Sequence, residues 1–473
     1  MLWLYLHFHH LLLDHIARSR EDQAPLAIIS EPSRRVLQAC PRAMHQGIRP
    51  GIPLKTALNL APELVMVQAD DEQQKRILEQ QAQWLYRYMD RITLYPPDGL
   101  LAEAGSLRRL YGGLPQLREQ LTRALEERCL NTTITTGSTP MAARLLARAG
   151  MPIFTGEQQL LKEHLEQLPL EHAGFEPATV QRLVRLGLSR LGEVAALPAA
   201  ELARRLAPET LVHLQKVQGQ RPDPQSCWQP PRHFHQQADF GLAVEKTQGL
   251  LFALRRILVE LENDLLHRQQ DTDSLVLILR HHQQAPTRMR IRTTGPEHRA
   301  EAFLNLLRIR LEQQPLVAPV ESLELTVTRF LERHTPADGD LLGDGVDQEE
   351  AWHTLVSRLQ ARLGEQTIRH LAPAADHRPE RAWNAREIRD RSRSTREADV
   401  EHLPLRPLWL MRQPQPLRVV PDTWFAGPER ISGGWWDGEK VLRDYYIARL
   451  PEGQLAWVYR DCHDGWFVHG WFG

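Results

Sequence analysis

The sequence places four histidines near its start, and histidines this close together could hold a transition metal. His7, His9, His10 and His15 lie within one short stretch of the chain, and imidazole is a good ligand for zinc or nickel. Successive side chains of an extended strand point to opposite faces, so His7 and His9 would share one face and His10 the other. We therefore favour the interpretation that these histidines do not form a metal site.

Two carboxylates further along the chain are candidates for weaker cation chemistry. Asp98 and Glu103 flank the apolar run Gly99-Leu-Leu-Ala102, and carboxylate oxygens are the ligands that Mg²⁺ and Mn²⁺ prefer in proteins. One hypothesis is therefore that the pair holds a single weak cation. The alternative, which we favour, is that each is an isolated acid on the protein surface.

The segment that contains the histidines is similar to the first strand and turn of Y-family (translesion) DNA polymerases. Those enzymes begin with an apolar strand followed by Asp-x-Asp-x-Phe-Phe/Tyr, and the strand here is Met1-Leu-Trp-Leu-Tyr-Leu6. In this resemblance His7 stands at the first metal-binding Asp and His9 at the second acidic position. The two aromatic positions fall on Leu11 and Leu12, and Leu12 takes the place of the sugar gate.

A second polymerase motif is also only partly kept. Pro96 to Glu103 resembles Ser-Ile-Asp-Glu followed by apolar residues and Asp, with Asp98 kept and the adjacent Glu replaced by Gly99. Phosphoryl transfer needs divalent cations that neutralise developing charge, and neither an imidazole nor a glycine replaces a carboxylate on Mg²⁺. The resemblance therefore implies a polymerase fold in which two of the three metal-binding carboxylates are lost.

The segment that resembles the nucleotide-binding fingers also lacks residues that the family uses for catalysis. The family carries Tyr-x-Ala-Arg there, which holds the triphosphate, whereas this chain has Cys40-Pro-Arg-Ala-Met-His45. Pro41 stands at the Tyr position and Met44 at the Arg position. Loss of the metal site together with the triphosphate clamp implies a fold kept for binding, and we predict that the protein is not an enzyme.

The bulk composition is that of a globular protein without a cofactor framework. A chain of 473 residues is long enough for three or more domains, and its four cysteines form no CxxC pair, which fits a reducing cytoplasm. No apolar run reaches the roughly 20 residues of a membrane helix. A net charge of −1 argues against strong autonomous DNA binding. We predict a cytoplasmic, nucleoid-associated protein with no metal or cofactor and only weak affinity for primer–template DNA.

The predicted fold class is α+β multidomain: a Y-family-like right hand followed by a small β-rich module. The resemblance to the polymerases covers about residues 1–335, and apolar spacing and turn residues set the remaining boundaries. The predicted parts are the palm (1–16 and 71–165), the fingers (17–70), a helix-hairpin-helix-like thumb (166–239), the little finger (240–335, in the order β-α-β-β-β-α-β), a clamp-binding peptide (336–345), a helix and flexible linker (346–402) and a C-terminal aromatic module (403–473).

Three arginines within the predicted little finger are candidates for DNA contact. Arg288, Arg290 and Arg292 alternate with Met289 and Ile291, so a strand would present the three guanidiniums on one face. Contacts of this kind neutralise phosphates and position a protein without selecting a sequence. The alternative is an ordinary solvated strand face, but the place of this strand in the polymerase resemblance favours DNA.

Two short segments are candidates for binding a sliding clamp, whose peptide ligands follow a Gln-Leu-x-Leu-Phe-like pattern. The resemblance points to Asp338-Gly-Asp340-Leu341-Leu342, just after the little finger, where Leu341 and Leu342 fit the apolar end and Asp338 replaces Gln. The alternative for this segment is an acidic loop. Gln167-Leu-Pro-Leu170 matches better as a string, but its place at the thumb boundary favours packing in the core.

The last seventy or so residues are rich in aromatic side chains. Eight of the twelve tryptophans lie from Trp383 onward, and strand-length runs separated by turn residues predict a small antiparallel sheet. Neighbouring residues of a strand point to opposite faces, so one of each adjacent aromatic pair should leave the core. Exposed Trp, Tyr and Arg are typical of binding hot spots, which makes these residues candidates for partner binding: Trp435, Trp436, Arg443, Tyr445, Tyr446 and Trp471.

The C-terminal motifs resemble a catalytically degenerate, polymerase-like member of bacterial damage-inducible mutagenesis cassettes. They are Gly427-Pro-Glu-Arg-Ile431, Gly434-Trp-Trp-Asp-Gly438 and Arg443-Asp-Tyr-Tyr446. The resemblance implies an SOS-linked scaffold for translesion synthesis that joins the DNA polymerase III β sliding clamp, a RecA-like protein and an error-prone α-type polymerase. Two alternatives stay open: an active low-fidelity polymerase with an atypical metal site, and a plain DNA-binding factor.

Overall fold

The computed structural model describes residues 1–21, 24–31, 33–333, 348–387 and 404–472. The chain divides into two compact units, Met1–Thr354 and Leu355–Gly473. The first part of unit one contains β1 (Trp3–Phe8), α1 (Leu11–Ala17), β2 (Leu26–Ser30), β3 (Arg35–Ala39), α2 (Pro41–His45), α3 (Leu54–Leu60), β4 (Val65–Gln68), α4 (Asp71–Leu85), β5 (Ile92–Tyr95), β6 (Gly99–Glu103), α5 (Leu114–Glu127), β7 (Thr132–Gly137) and α6 (Pro140–Arg148).

The palm-like part is a four-stranded antiparallel sheet in the order β5-β6-β1-β7. Alternation along β1 sends Leu4, Leu6 and Phe8 into a large apolar cluster that also holds buried residues of α4 and α5. The other face of β1 presents Tyr5, which shares a smaller cluster with Ala143 and Ala147 of α6. Helices therefore cover both faces of this sheet, and the residues that resemble the polymerase motifs lie on its strands.

The fingers-like part is a small sheet of its own. Its strand order is β3-β2-β4, with β2 antiparallel to β3 and parallel to β4. Ala27, Val36, Ala57 and Leu64 belong to its buried cluster. The chain then enters α4, where the carboxylate of Asp70 accepts a hydrogen bond from the backbone N–H of Glu72 at 3.1 Å, as expected of a helix N-cap.

The thumb-like and little-finger-like parts follow. The first is helical: α7 (Gln158–Glu166), α8 (Pro177–Arg185), α9 (Leu191–Ala195), α10 (Ala199–Arg205) and α11 (Pro208–Val217). The second contains β8 (Phe234–Val244), α12 (Thr247–Arg268), β9 (Gln270–His281), β10 (Gln284–Glu297), α13 (Ala300–Gln313), β11 (Val320–Val327) and the short β12 (Leu331–Glu332).

The little-finger-like sheet runs in the order β10-β9-β11-β8. The sequence predicts three strands between the two helices, but the structure has two, β9 and β10, which a two-residue turn joins directly. The sheet also begins at Phe234, ahead of the predicted boundary at residue 240. Phe234 is buried, so the packing of this sheet starts there.

The second unit is mainly β-structure and follows α14 (Gln348–Leu363), which crosses the boundary between the units. It contains β13 (Arg369–Pro373), β14 (Trp383–Glu387), β15 (Trp409–Pro416), β16 (Thr423–Gly433), β17 (Val441–Arg449), β18 (Leu455–Asp461) and β19 (Trp466–Trp471). The last five strands form one antiparallel sheet in the order β15-β19-β18-β17-β16. The prediction of an α+β protein with a C-terminal β-rich module is thereby confirmed.

Part of the predicted flexible linker is folded. β13 and β14 pair as an antiparallel hairpin, and Arg378 between them is only 2% exposed. Its guanidinium donates to Asp376 at 2.7 Å and to Asp437 at 2.6 Å. The linker prediction is wrong for residues 373–387, because a charged, proline-rich composition does not reveal ion pairs made with a distant segment.

The described helices include none that is both long enough and apolar enough to cross a membrane.

Candidate functional site

The residues that resemble the polymerase metal site meet at one end of the palm-like sheet. The antiparallel register of β1 and β6 pairs His7 with Gly99, and Asp98 comes directly before β6. The Nδ1 atom of His7 lies 3.7 Å from the Oδ1 atom of Asp98. The sequence prediction that these three positions belong together is supported by this geometry.

Glu103 does not belong to this group. It pairs with Trp3 at the far end of the same two strands, so it lies roughly 16 Å along the strand from Asp98. Its carboxylate accepts hydrogen bonds from the backbone N–H of Gly105 at 2.9 Å and the hydroxyl of Ser106 at 2.6 Å, and the residue is buried. Both hypotheses are therefore wrong for Glu103: it neither shares a cation with Asp98 nor lies on the surface.

The space that a side chain at position 99 would need is already filled. A Cβ atom added to Gly99 would overlap the hydroxyl oxygen and the ring of Tyr5. Tyr5 is fully buried, its hydroxyl has no hydrogen-bond partner among the described residues, and burial raises its pKa above the ordinary value. The phenol of Tyr5 thus takes the place where the resemblance puts a metal-binding glutamate.

Cationic and neutral side chains surround the remaining carboxylate. The Nη1 atom of Arg148 lies 3.8 Å from Oδ1 of Asp98, and the guanidinium of Arg144 lies 4.8 Å from the ring centre of Tyr95. Burial lowers the pKa of His7, an effect that Asp98 opposes, and this shift favours the neutral imidazole. A neutral imidazole and one carboxylate facing a guanidinium do not fit the two-cation site of a polymerase.

The histidine-rich turn next to this site has its own hydrogen bonds. The Nε2 atom of His9 lies 2.8 Å from the hydroxyl oxygen of Thr133, and the rings of His7 and His9 are 4.9 Å apart. His15 is fully buried on α1, with Nε2 at 3.3 Å from Asp239. Among the described residues, no group of three or more His, Cys, Asp or Glu side chains is arranged to hold a metal ion.

Pro41 and Met44 lie on the surface of the fingers-like part. α2 begins at Pro41 and is capped by the Sγ atom of Cys40, which accepts from the N–H of Ala43 at 3.4 Å. Met44 is 45% exposed. Neither residue offers the phenol or guanidinium that the resemblance predicts for binding a triphosphate, since Pro and Met lack a charged or donor group.

The three candidate DNA-binding arginines lie on the edge strand of the little-finger-like sheet. β10 alternates as predicted: Arg288 and Arg290 are exposed, Arg292 is half-buried, and Met289 and Ile291 are buried. Two guanidiniums are therefore accessible on one face of an edge strand. DNA contact by this strand stays a prediction.

The candidate clamp-binding peptide, with Asp338, Asp340, Leu341 and Leu342, lies outside the described residues. In the rival segment, Leu168 and Leu170 are 0% and 1% exposed and belong to the thumb-like cluster. A clamp pocket requires apolar side chains that are free to enter it. The structure thus agrees with the interpretation of Gln167-Leu-Pro-Leu170 as a core segment.

The C-terminal candidates for partner binding divide into surface and core. Trp435 and Trp436 are 75% and 53% exposed in the turn after β16. Tyr446 and Trp471 are half-buried. Tyr445 is 1% exposed and stacks on Trp457 with ring centres 4.0 Å apart, so the structure does not support a partner contact for it. One member of the Tyr445-Tyr446 pair does face away from that stack, as strand alternation predicts.

Arg443 also has a role inside the module. Its Nη1 atom donates to Glu380 at 2.9 Å and to the hydroxyl of Tyr445 at 3.2 Å, and its guanidinium lies 4.9 Å from the ring centre of Tyr459. These contacts tie the segment before β14 to the five-stranded sheet. Partner binding by Arg443 stays a prediction, and the structure adds a role for its Nη1 atom inside the module.

Sequence reasoning missed a second aromatic surface on this sheet. The rings of Trp424, Tyr446 and Trp466 lie 5.3–5.4 Å from one another, and with Phe425 they line a cavity of about 460 Å³. Trp424 and Phe425 are 46% and 58% exposed on β16, a strand at the edge of the sheet. The adjacent Trp-Phe pair in the sequence is the signal that could have revealed it.

Comparison with known proteins shows which proteins this chain is similar to. Residues 15–148 match the model of the impB/mucB/samB family. Protein ImuB of Caulobacter vibrioides (strain NA1000 / CB15N) is 26% identical over 467 residues, which covers 90% of this chain and 100% of ImuB. DNA polymerase IV of Dehalococcoides mccartyi (strain CBDB1) is 26% identical over 200 residues, 41% of this chain and 51% of that protein.

Solved structures of polymerases are also similar in part. The crystal structure of DinB from Sulfolobus solfataricus is 14% identical, covers 70% of this chain and 100% of that chain, and has a TM-score of 0.39. The family match and the full-length similarity rest on sequence: the family match begins after β1 and includes β6, and the similarity to ImuB spans 90% of the chain. The predicted resemblance is therefore confirmed: residues 15–148 match the impB/mucB/samB family model, and the chain is similar to ImuB along 90% of its length.

Proposed function

We propose that this chain is a non-catalytic, Y-family polymerase-like scaffold in damage-induced translesion DNA synthesis and mutagenesis. Its similarity to ImuB and its impB/mucB/samB domain support a polymerase-like protein connected with DNA damage. The observation that carries the non-catalytic part is the contact between Gly99 and Tyr5. A site with the phenol in the place of a carboxylate has no room for the ligand that a second metal ion needs.

The electrostatics of the same site favour this proposal. Asp98, next to His7 at this end of the β1–β6 pair, has its Oδ1 atom 3.8 Å from Nη1 of Arg148. The positive charge of this guanidinium disfavours a divalent cation beside Asp98. The palm then serves as a platform for binding.

The proposed partners are the DNA polymerase III β sliding clamp, the RecA-like protein ImuA and an error-prone α-type DNA polymerase. Exposed tryptophans are typical anchors of protein interfaces, and Trp435 and Trp436 stand together in one exposed turn with ring centres 5.5 Å apart. We assign polymerase and ImuA capture to the C-terminal unit and clamp capture to the segment around Leu341 and Leu342. Primer–template DNA is a weaker ligand, held by Arg288 and Arg290.

Capture of purified partners by the full-length chain tests this assignment. The immobilised protein should retain the α-type polymerase, and a Trp435→Ala/Trp436→Ala double variant should lose about tenfold or more in affinity, since anchor residues contribute at least 1–2 kcal/mol each. Trp409→Ala is the matched control, because Trp409 is equally exposed (70%) but lies on β15 at the opposite edge of the sheet. Equal loss in both variants, or none in either, would refute the assignment.

The rival function is an active low-fidelity polymerase with an atypical metal site. One observation favours it: Oδ1 of Asp98 and Nδ1 of His7 are buried and have no hydrogen-bond partner among the described residues, as expected of groups that await a ligand. If this rival is right, manganese-dependent primer extension should be present and should disappear in Asp98→Ala.

A further inference from the structure

Charged side chains make hydrogen bonds and ion pairs between the little-finger-like part and the palm-like part. On one side of this joint are β8 and α12; on the other are α1 and the C-terminal ends of α4 and α5. Each part has its own apolar core, so the joint is a separate contact inside unit one.

A single carboxylate stands at the centre of the joint. Glu260 of α12 accepts a hydrogen bond from Nη2 of Arg87 at 2.8 Å and another from Nη1 of Arg128. Arg128 is 7% exposed, and its other Nη atom donates to the fully buried Gln81 at 3.0 Å. Glu260 therefore compensates two guanidiniums that come from the ends of two different palm helices.

A second set of contacts continues the joint along α1. Arg256, one turn before Glu260 on α12, donates to the backbone oxygen of Arg18 and, at 3.2 Å, to the hydroxyl of Ser19. His15 lies 3.3 Å from Asp239 of β8. Asp239 of β8 and Arg256 of α12 therefore each contact α1 or the residues that directly follow it.

The backbone also approaches closely at this joint. Gly241 of β8 has a φ of +70°, and a Cβ atom added to it would lie 2.9 Å from the side chain of Val67 and 3.2 Å from that of Ile16. Glycine is the residue that accepts both the positive φ and the close approach. Gly241 therefore lets β8 lie directly against Ile16 of α1 and Val67 of β4.

The balance of charge makes this joint different from a core. Four guanidiniums meet four carboxylates among its described residues: Arg18, Arg87, Arg128 and Arg256 against Asp14, Asp239, Glu260 and Asp264. Burial and then the neighbouring guanidiniums lower the pKa of Arg128, and burial lowers the pKa of Arg256 to about 9. Pairing of buried charges contributes little net free energy, because it must first offset the cost of removing each charge from water. Opening the joint returns these charges to water and should therefore cost little free energy.

We propose that Glu260 and its two arginines form an ionic latch that holds the little finger closed on the palm and can be released without unfolding either part. The latched edge of the sheet is β8, whereas the arginine-bearing strand β10 is the opposite edge. Three strand spacings, about 14 Å, separate the two edges. The latch therefore holds the arginine strand at one fixed place away from the palm.

Hydrogen exchange of the full-length chain, followed by mass spectrometry, tests the latch. Glu260→Gln removes the charge that compensates Arg87 and Arg128, so amides of α1 and α12 should exchange faster by about two orders of magnitude, the effect of breaking a buried ion pair. Amides of β10 and α13, which do not touch the joint, should keep their protection. The matched control is Glu262→Gln, because Glu262 lies on the same helix and accepts from the N–H of Ala300 at 3.0 Å inside the little finger.

A second variant separates release of the latch from damage to the little-finger fold. Arg87→Gln changes the palm side only, yet it should speed exchange in the same α12 peptides, and the Arg87→Gln/Glu260→Gln double variant should add little to either single one. The proposal is overturned if Glu260→Gln exchanges like the wild type, or if it loses protection throughout β9, β10 and α13. It is also overturned if the two single effects simply add.

Discussion

Tyr5 and Gly99 lie on adjacent strands and share one volume. His7 and Gly99 are paired across β1 and β6, and Tyr5, two residues before His7, points to the same face. Its ring reaches under position 99, where any Cβ atom would overlap it. Glycine at position 99 is thus tied to the presence of a large aromatic residue on the neighbouring strand.

This pairing predicts a specific coupling between two substitutions. Gly99→Ala should lower the free energy of unfolding by about 1–3 kcal/mol, the usual cost of overpacking a well-packed site. In a Tyr5→Leu background the same change should cost clearly less, because the ring and hydroxyl that it meets are gone. Urea unfolding of the wild type, both single variants and the double variant measures the coupling; strictly additive costs would show that the two residues do not compete for space.

Some site residues could be predicted from sequence and others could not. His7, Asp98 and Gly99 could be identified from the sequence because a motif with fixed spacing marks their positions. The role of Tyr5 depends on the register of two strands and on the direction of its ring, which spacing alone does not determine. The prediction for Glu103 was wrong for a related reason. Its carboxylate accepts hydrogen bonds from Gly105 and Ser106 in the following turn, and the sequence does not show that these bonds form.

At the scale of elements, the C-terminal sheet contains a buried titratable group. The Nδ1 atom of His469 on β19 lies 2.7 Å from the hydroxyl oxygen of Tyr445 on β17, and its ring is parallel to that of Trp457. Burial lowers its pKa from 6.5 to about 4, and Glu380 only partly opposes this effect. The folded sheet therefore favours the neutral imidazole.

This shift predicts how the sheet responds to acid. Between pH 6.5 and about 4 the unfolded chain binds a proton at position 469 that the folded chain does not. The free energy of unfolding should therefore fall as the pH falls through this window, whereas above pH 6.5 the contribution of His469 is fully present. His469→Gln should remove this part of the pH dependence. Urea unfolding followed by tryptophan fluorescence measures it, since eight of the twelve tryptophans lie from Trp383 onward.

His463→Gln is the matched control for that experiment, because His463 lies in the exposed turn between β18 and β19. It should leave the pH profile of the wild type unchanged. If His469→Gln also leaves the profile unchanged, the proposed titration of His469 is refuted.

The arginine strand of the little finger makes a prediction about DNA. Arg288→Ala/Arg290→Ala should weaken binding to primer–template DNA of unrelated sequences to a similar degree and reduce the slope of log affinity against log salt by up to about 2, one for each phosphate that is no longer neutralised. Fluorescence anisotropy over a range of salt concentrations measures both. Arg280→Ala is the control, since Arg280 on β9 is already paired with Glu324; a slope that falls equally in the control would contradict the assignment.

Elements with strong local signals could be predicted closely, and those that depend on distant partners could not. The β-branched run from Thr132 to Gly137 predicts β7 with the bounds that the structure has. In contrast, the hairpin of β13 and β14 lies in a segment whose composition predicts a linker, and its Arg378 is held by Asp437 of the following sheet. Long-range pairing of this kind has no local pattern.

At the scale of the whole molecule, the chain joins a polymerase-like unit to a β-rich unit. Residues 1–354 carry the elements that resemble palm, fingers, thumb and little finger, and residues 355–473 carry the aromatic sheet. The overall plan could be predicted because family motifs occur in both units. The ionic joint between little finger and palm could not, because it is made by isolated charged residues from five separate elements.

The most direct test of the account is primer extension by the purified full-length chain, first with magnesium and then with manganese, with the Asp98→Ala variant run in parallel. A scaffold whose second acidic position is filled by Tyr5 should extend no primer, and the two proteins should give the same background with either metal. Extension by the wild type that is lost in Asp98→Ala would contradict the account and establish the palm as a working polymerase site.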